Sequence, residues 1–174
     1  MSAAAWSDPV AAWRHVRAIA LLPLMNTVAI PGALLLQWPP KYPLQWTTAL
    51  AGTALALAGA ALVVHCIRLF VRFGGGTLAP WDPTRELVSA GVYRYSRNPM
   101  KAGLFLVLAG EALVTRSVAL TAWFACFAGV NVAYIRLHEE PGLVKRFGAR
   151  YREYCERVPR WLPATRTLFR LEDQ

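Results

Sequence analysis

Trp46 to Ile67 runs for 22 residues without an Asp, Glu, Lys or Arg, and Ala18 to Trp38 does the same for 21. At about 1.5 Å per helical residue, either stretch covers the roughly 30 Å hydrocarbon layer of a bilayer. Lipid offers no hydrogen bonds to the backbone, so such segments fold as helices that satisfy their own N–H and C=O groups. A chain that is 56% hydrophobic and 17% charged is no disordered tail. Its formal net charge of +9 would suit a nucleic-acid binder, but long apolar runs divide the charges into blocks, which points to a membrane instead. Cys66, Cys126 and Cys155 are widely spaced and odd in number, and indicate neither a zinc site nor a disulfide framework.

The sequence predicts a single all-α domain over residues 1–174, a polytopic bundle with spans at about 18–38, 46–67, 100–115 and 117–135. Seventeen residues that include Asp8, Pro9, Arg14 and Arg17 precede the first run and no small-residue cleavage pattern follows it, so it reads as a span rather than a signal peptide. Pro23 and Pro31 should kink it. On the second, Gly52, Ala56 and Ala60 form a small-residue stripe that lets another helix approach closely. Ala102 to Ile135 suits two short passes, and Thr115-Arg116-Ser117 marks a tight hairpin between them. Glu111 lies within the third span and must face a partner, a polar pocket or the interface, and Arg116, one to two turns away, is a candidate partner.

Lysines and arginines test this topology, because short loops rich in them stay in the cytosol. Seventeen of the 19 fall in residues 1–17, 68–101 and 136–174, and two, Lys41 and Arg116, fall on the other side. Both termini are then cytosolic, as are a loop at 68–99 and a tail at 136–174. In that tail Leu143, Phe147, Tyr151, Tyr154 and Val158 recur at helical spacing, with Lys145, Arg146, Arg150, Arg152, Glu153 and Arg157 between them. This predicts one amphipathic helix that starts near Pro141, stops at Pro159, and lies on the membrane or caps the bundle.

Chemistry belongs to these two polar blocks. Residues 73–101, FGGGTLAPWDPTRELVSAGVYRYSRNPMK, are too polar to cross a bilayer and too rich in Gly, Pro and aromatic residues for a featureless loop. Gly74, Gly75 and Gly76 match neither dinucleotide nor P-loop spacing. His138-Glu139-Glu140 lacks the H-E-x-x-H spacing of a zinc hydrolase, so no metal is expected. Two adjacent carboxylates at a membrane boundary need solvent or a cation, and they face a basic, aromatic loop.

GVYRYSRNPMKAG, then EEPGL some forty residues on, then RFGARYREYCERVPRWLP resemble the isoprenylcysteine carboxyl methyltransferase and phospholipid methyltransferase family of integral-membrane enzymes. The similarity covers roughly residues 70–163, and GGGTLAPWDPTRELVSAG also resembles the family's bacterial members, which implies an integral protein of a bacterial plasma membrane. The resemblance implies S-adenosylmethionine as cofactor and a lipophilic acceptor, lipid or small molecule, arriving from the membrane, with no nucleic-acid partner. It implies cofactor contacts at Arg85, Glu86, Leu87, Val88, Tyr93, Arg97, Asn98, Pro99, Met100, Lys101 and Glu139. Asn98 stands where eukaryotic members have His, and Lys101 where most have Tyr. The family's arginine for an acceptor carboxylate aligns near Ile135, one residue from Arg136, which makes Arg136 a catalytic candidate.

The residues are consistent with that implication. Glu139 or Glu140, or both, suit a sulfonium and an ammonium, while Arg97, Asn98 and Tyr93 suit a carboxylate and an adenine ring. Methyl transfer is an in-line displacement that needs alignment and exclusion of water. A carboxylate acceptor needs no base. For an amine, thiol or hydroxyl, Glu140, with a pKa raised by burial, is the candidate catalytic base. Two alternatives are a membrane sterol-type reductase using NADPH, a class that also resembles the C-terminal half of this chain, and a non-enzymatic scaffold of the same fold.

Overall fold

A computed structural model describes residues 20–73 and 87–161. Arg85 and Glu86, and the glycine run at 74–76, lie outside the described residues. Those described form helices and connecting loops, without strands. Helix α1 is widely wound as a π-helix over Ala20–Ala29 and regular over Ile30–Gln37. Pro23 supplies no N–H to an α-ladder, and the wide winding surrounds it. Thr27 Oγ1 donates to the Pro23 carbonyl at 2.8 Å, and Trp123 Nε1 donates to the Asn26 carbonyl at 3.2 Å. Where the prolines were expected to kink the helix, the winding is altered around Pro23, and Pro31 lies in the first turn of the regular segment.

Helix α2, Trp46–Phe73, continues six residues past the expected end at Ile67 and carries Arg68 and Arg72 with it. Helix α3, Pro99–Thr115, runs antiparallel to it, and glycines set their separation. A Cβ on Gly59 would lie 2.5 Å from the Gly103 carbonyl oxygen, and one on Gly110 would lie 2.5 Å from that of Gly52. Two backbones this close exclude any side chain between them. The stripe on α2 is Gly52, Ala56, Gly59, Val63 and Cys66, and Ala60 is exposed. One residue is a turn of about 100°, so Gly59 takes the place expected of Ala60.

The expected hairpin is present. Arg116 ends α3 in the left-handed conformation (φ +52°), and Ser117 opens helix α4, Val118–Tyr134, by accepting from the Leu120 N–H. Arg116 does not pair with Glu111. Its guanidinium donates to the Pro43 carbonyl at 3.3 Å and lies 5.1 Å from the Tyr42 ring centre, tying the α1–α2 loop to the hairpin. Glu111 Oε2 is buried without a hydrogen-bond partner among the described residues.

Two helical stretches are long and apolar enough to cross a membrane: Trp46–Phe70, 25 residues with mean hydropathy 2.0, and Val118–Phe147, 30 residues with 1.7. The apolar part of α1, Pro23–Gln37, is shorter, and α3 has 17 residues, about 26 Å of helix. Leu36, Leu50, Leu57, Val118 and Val130 are exposed on these helices, as lipid-facing side chains are.

Past Tyr134 the helix widens into a π-turn, Ile135–Glu139, before α5, Glu140–Phe147, and α6, Ala149–Arg157. Pro141 in the first turn of α5 supplies no N–H to the α-ladder of the preceding turn, the local cause of the widening. The single amphipathic helix expected here is two. Gly148, at φ +58° and ψ −128°, breaks it, a conformation that favours glycine. Tyr151, Tyr154 and Val158 are buried together with Leu87, Leu143, Val144 and Phe147 packed against them, while Lys145, Arg150, Arg152 and Glu153 are exposed.

Candidate functional site

The residues between α2 and α3 form a short structured connection. Gly91, at φ +58°, lets the chain enter a 3-10 turn, Gly91–Arg94, and a side chain there would meet Leu69 at 2.9 Å. The turn drives Tyr93 inward against Cys66 and Val88, edge-on to Phe70 with ring centres 5.4 Å apart. Burial pushes the Tyr93 phenol well above its ordinary value, so it is a neutral wall of the site. Asn98 precedes α3 and Pro99 starts it, where a missing N–H matters least.

The segment after α6 folds back over this turn. Arg97 N–H donates to the Pro159 carbonyl at 2.9 Å, and the Arg160 carbonyl accepts from Ser96 Oγ at 3.2 Å and Asn98 Nδ2 at 3.3 Å. Tyr154 Oη donates to the Tyr93 carbonyl at 2.6 Å. Removing that hydroxyl leaves a buried carbonyl unpaired. Tyr154→Phe is therefore expected to destabilise the protein by about 1–2 kcal/mol, seen as a melting temperature in detergent lower by a few degrees.

These elements enclose a cavity of about 710 Å³, a size typical of small-molecule sites. Leu87, Val88, Tyr93, Arg97, Asn98, Met100, Lys101, Glu139 and Glu140 line it, so residues more than forty positions apart in the chain converge as the sequence motifs imply. Pro99 is buried but not part of the lining. Arg136 is exposed and outside the lining, whereas Ile135, its neighbour, is fully buried and faces the cavity. The π-turn places the arginine on another face.

The two carboxylates differ. Glu140 accepts from Arg160 Nε at 2.9 Å and Nη2 at 2.7 Å, a two-pronged pair, and from Arg97 Nη1 at 3.0 Å. The Arg160 hydrogen bond and the charges of both arginines hold its carboxyl below the ordinary range, against partial burial. The expected rise in its pKa is thus reversed, and Glu140 is a carboxylate engaged by two arginines. Glu139 is open: its nearest cation among the described residues, Lys101 Nζ, is 3.6 Å away, and its side chain keeps 35% of its exposure.

Several lining residues were not among the site residues expected from the sequence. Phe127, Asn131, Tyr134 and His138 form one stripe on α4 and its continuation, and Arg146, Tyr151 and Tyr154 come from the tail. A polar Asn131 inside an apolar span was the available signal for the first group. Arg160 belongs to the VPRWLP motif that carries the resemblance, but the motif by itself assigns it no partner.

A family model described as phospholipid methyltransferase matches residues 47–150, more than half of the chain. No curated protein and no solved structure matches it. The matched residues include all of α2 but Trp46, the 3-10 turn with Tyr93, the Arg97–Lys101 stretch and the Glu139–Glu140 pair, and so contain most of the cavity wall. The chain belongs to the phospholipid methyltransferase family and is a membrane methyltransferase.

Proposed function

We propose that this protein transfers a methyl group from S-adenosylmethionine to a lipophilic acceptor that enters the cavity from the bilayer. The open carboxylate of Glu139 beside an aromatic wall is the observation that carries the reading. The donor supplies an electrophilic methyl group on a sulfonium and also bears an ammonium, a carboxylate and an adenine.

The lining suits such a molecule. Glu139 offers an anion for the cationic part, and Tyr93, Leu87, Val88 and Met100 offer surface for a flat ring. Arg97 Nε is a buried N–H with no partner among the described residues, on a side chain of the cavity wall, and it suits a carboxylate acceptor of hydrogen bonds. Asn98, held by the Arg160 carbonyl, shapes the same end. Glu140 acts as a positioning residue: its ion pairs fix Arg97 and the tail that closes the cavity. Arg136, outside the lining, takes no catalytic role here.

Four passes fit this arrangement, with α1 and α3 as the shorter ones and the cavity at the cytosolic end, a reading that the distribution of Lys and Arg supports. The basic residues of α5 and α6 then face anionic headgroups.

Equilibrium binding of S-adenosylhomocysteine and of NADPH to detergent-purified protein tests the donor. Saturable binding of the first is expected, and saturable binding of NADPH alone would replace this reading with a reductase. Glu139→Gln is expected to weaken S-adenosylhomocysteine at least about tenfold, the loss of one charge-assisted hydrogen bond. Labelled-methyl transfer to a membrane lipid extract, followed by identification of the product, tests the acceptor.

A further inference from the structure

Lys101 lies where the cavity changes character. Toward α1 and the middle of the bundle the wall is Pro23, Leu104 and Phe127, and toward the tail it is Glu139 and Arg97. The ammonium is held at that boundary by Asn131 Oδ1 at 2.9 Å and lies 5.7 Å from the centre of the Tyr134 ring. Asn131 is itself oriented by donating to the Phe127 carbonyl at 2.9 Å. Two uncharged partners thus fix the lysine, and its one anion among the described residues, Glu139, is at 3.6 Å.

We propose that Lys101 selects acceptors whose methyl-accepting atom is an anion, carboxylate oxygen or thiolate sulfur, and rejects ammonium-headed lipids. This rests on the methyl-transfer reading above. A donor cation at Glu139 uses the charge that balances Lys101. An anionic acceptor beside Lys101 then restores neutrality in a poorly hydrated cavity, whereas an ammonium adds a second unbalanced positive charge. An amine would also have to lose a proton before attack, and the carboxylate next in line, Glu140, is engaged by Arg97 and Arg160. With an anion the step balances without a base. A lone pair on the acceptor oxygen or sulfur forms the bond to the methyl carbon, the carbon–sulfonium bond breaks, and its electrons stay on sulfur as a neutral thioether.

The test compares dodecanoate, dodecanethiol at alkaline pH and dodecylamine as acceptors of labelled methyl, using the full-length protein in detergent. Wild type is expected to favour at least one of the two anions over the amine by about tenfold in kcat/KM, and Lys101→Gln to erase most of that ratio through the acceptor KM. Lys101→Arg, which keeps the charge, is expected to retain it. Preference for the amine overturns the proposal, as does transfer to neither anion by protein that binds S-adenosylhomocysteine, or an unchanged ratio in Lys101→Gln. Failure of wild type to bind S-adenosylhomocysteine instead overturns the donor reading and this inference with it.

Discussion

Gly59→Val is expected to leave little folded protein. The new Cβ would be 2.5 Å from the Gly103 carbonyl oxygen and 2.8 Å from both Leu106 Cβ and the Val107 nitrogen, so the obstacle is backbone and not a flexible side-chain tip. Helices α2 and α3 must then separate along their length, which forfeits the packing of Gly52 on Gly110 one heptad away. Overpacking of this kind costs about 3 kcal/mol or more, a large part of a protein's total stability. Fluorescence-detected size exclusion of the detergent-extracted protein should show aggregate or no peak. Gly129→Ala is the matched control, because an added methyl there meets nothing within 4 Å. A monodisperse, thermally unchanged Gly59→Val protein would show that α2 and α3 are not in this contact.

The second large effect is expected at Glu140. Glu140→Gln leaves Arg97 and Arg160 without their anion. Breaking a fully buried pair costs about 3–5 kcal/mol, and the 16% exposure of Glu140 brings the expectation to roughly 2–3 kcal/mol. The consequence reaches the substrate side, because Arg97 and the tail that closes the cavity lose their common anchor. Donor affinity should therefore fall together with the melting temperature. Arg160→Lys, which keeps charge but not the two-pronged geometry, should lose less.

The same pair sets an acid limit. The folded-state pKa of Glu140 is lowered from the ordinary 4.5, so its contribution is fully present above that value. It is lost as pH falls through the lower, folded-state value. Melting temperatures of wild type and Glu140→Gln should therefore converge as the solution is acidified below about pH 4.5. A gap that stays constant down to the lowest pH at which the protein folds would mean that the carboxylate is not ionised in these pairs.

Much of the bundle was legible because the apolar runs are long and their punctuation is strong. The hairpin at Arg116-Ser117 and the meeting of the loop with Glu139 and Glu140 could both be anticipated. Finer features depend on relations that a linear pattern does not encode. Gly59 and Ala60 are both small, and only the rotation of α2 against α3 decides which of them faces inward. The partner of Arg116 comes from a loop 73 residues earlier, and that of Glu140 from a residue 20 positions later. Gly148 read as one helical position among others until its φ showed a break. Arg136 matched the expected arginine to within one residue, but the π-turn changes the angular offset on which such a match depends.

The closing of the cavity by residues 151–160 also bears on biogenesis. These residues leave the ribosome after α1 to α4, so the wall carrying Leu87, Tyr93 and Lys101 waits half-built until Tyr154 and Arg160 arrive. The cavity of a newly inserted chain is thus incomplete during synthesis, and the latching of a late-emerging segment completes it.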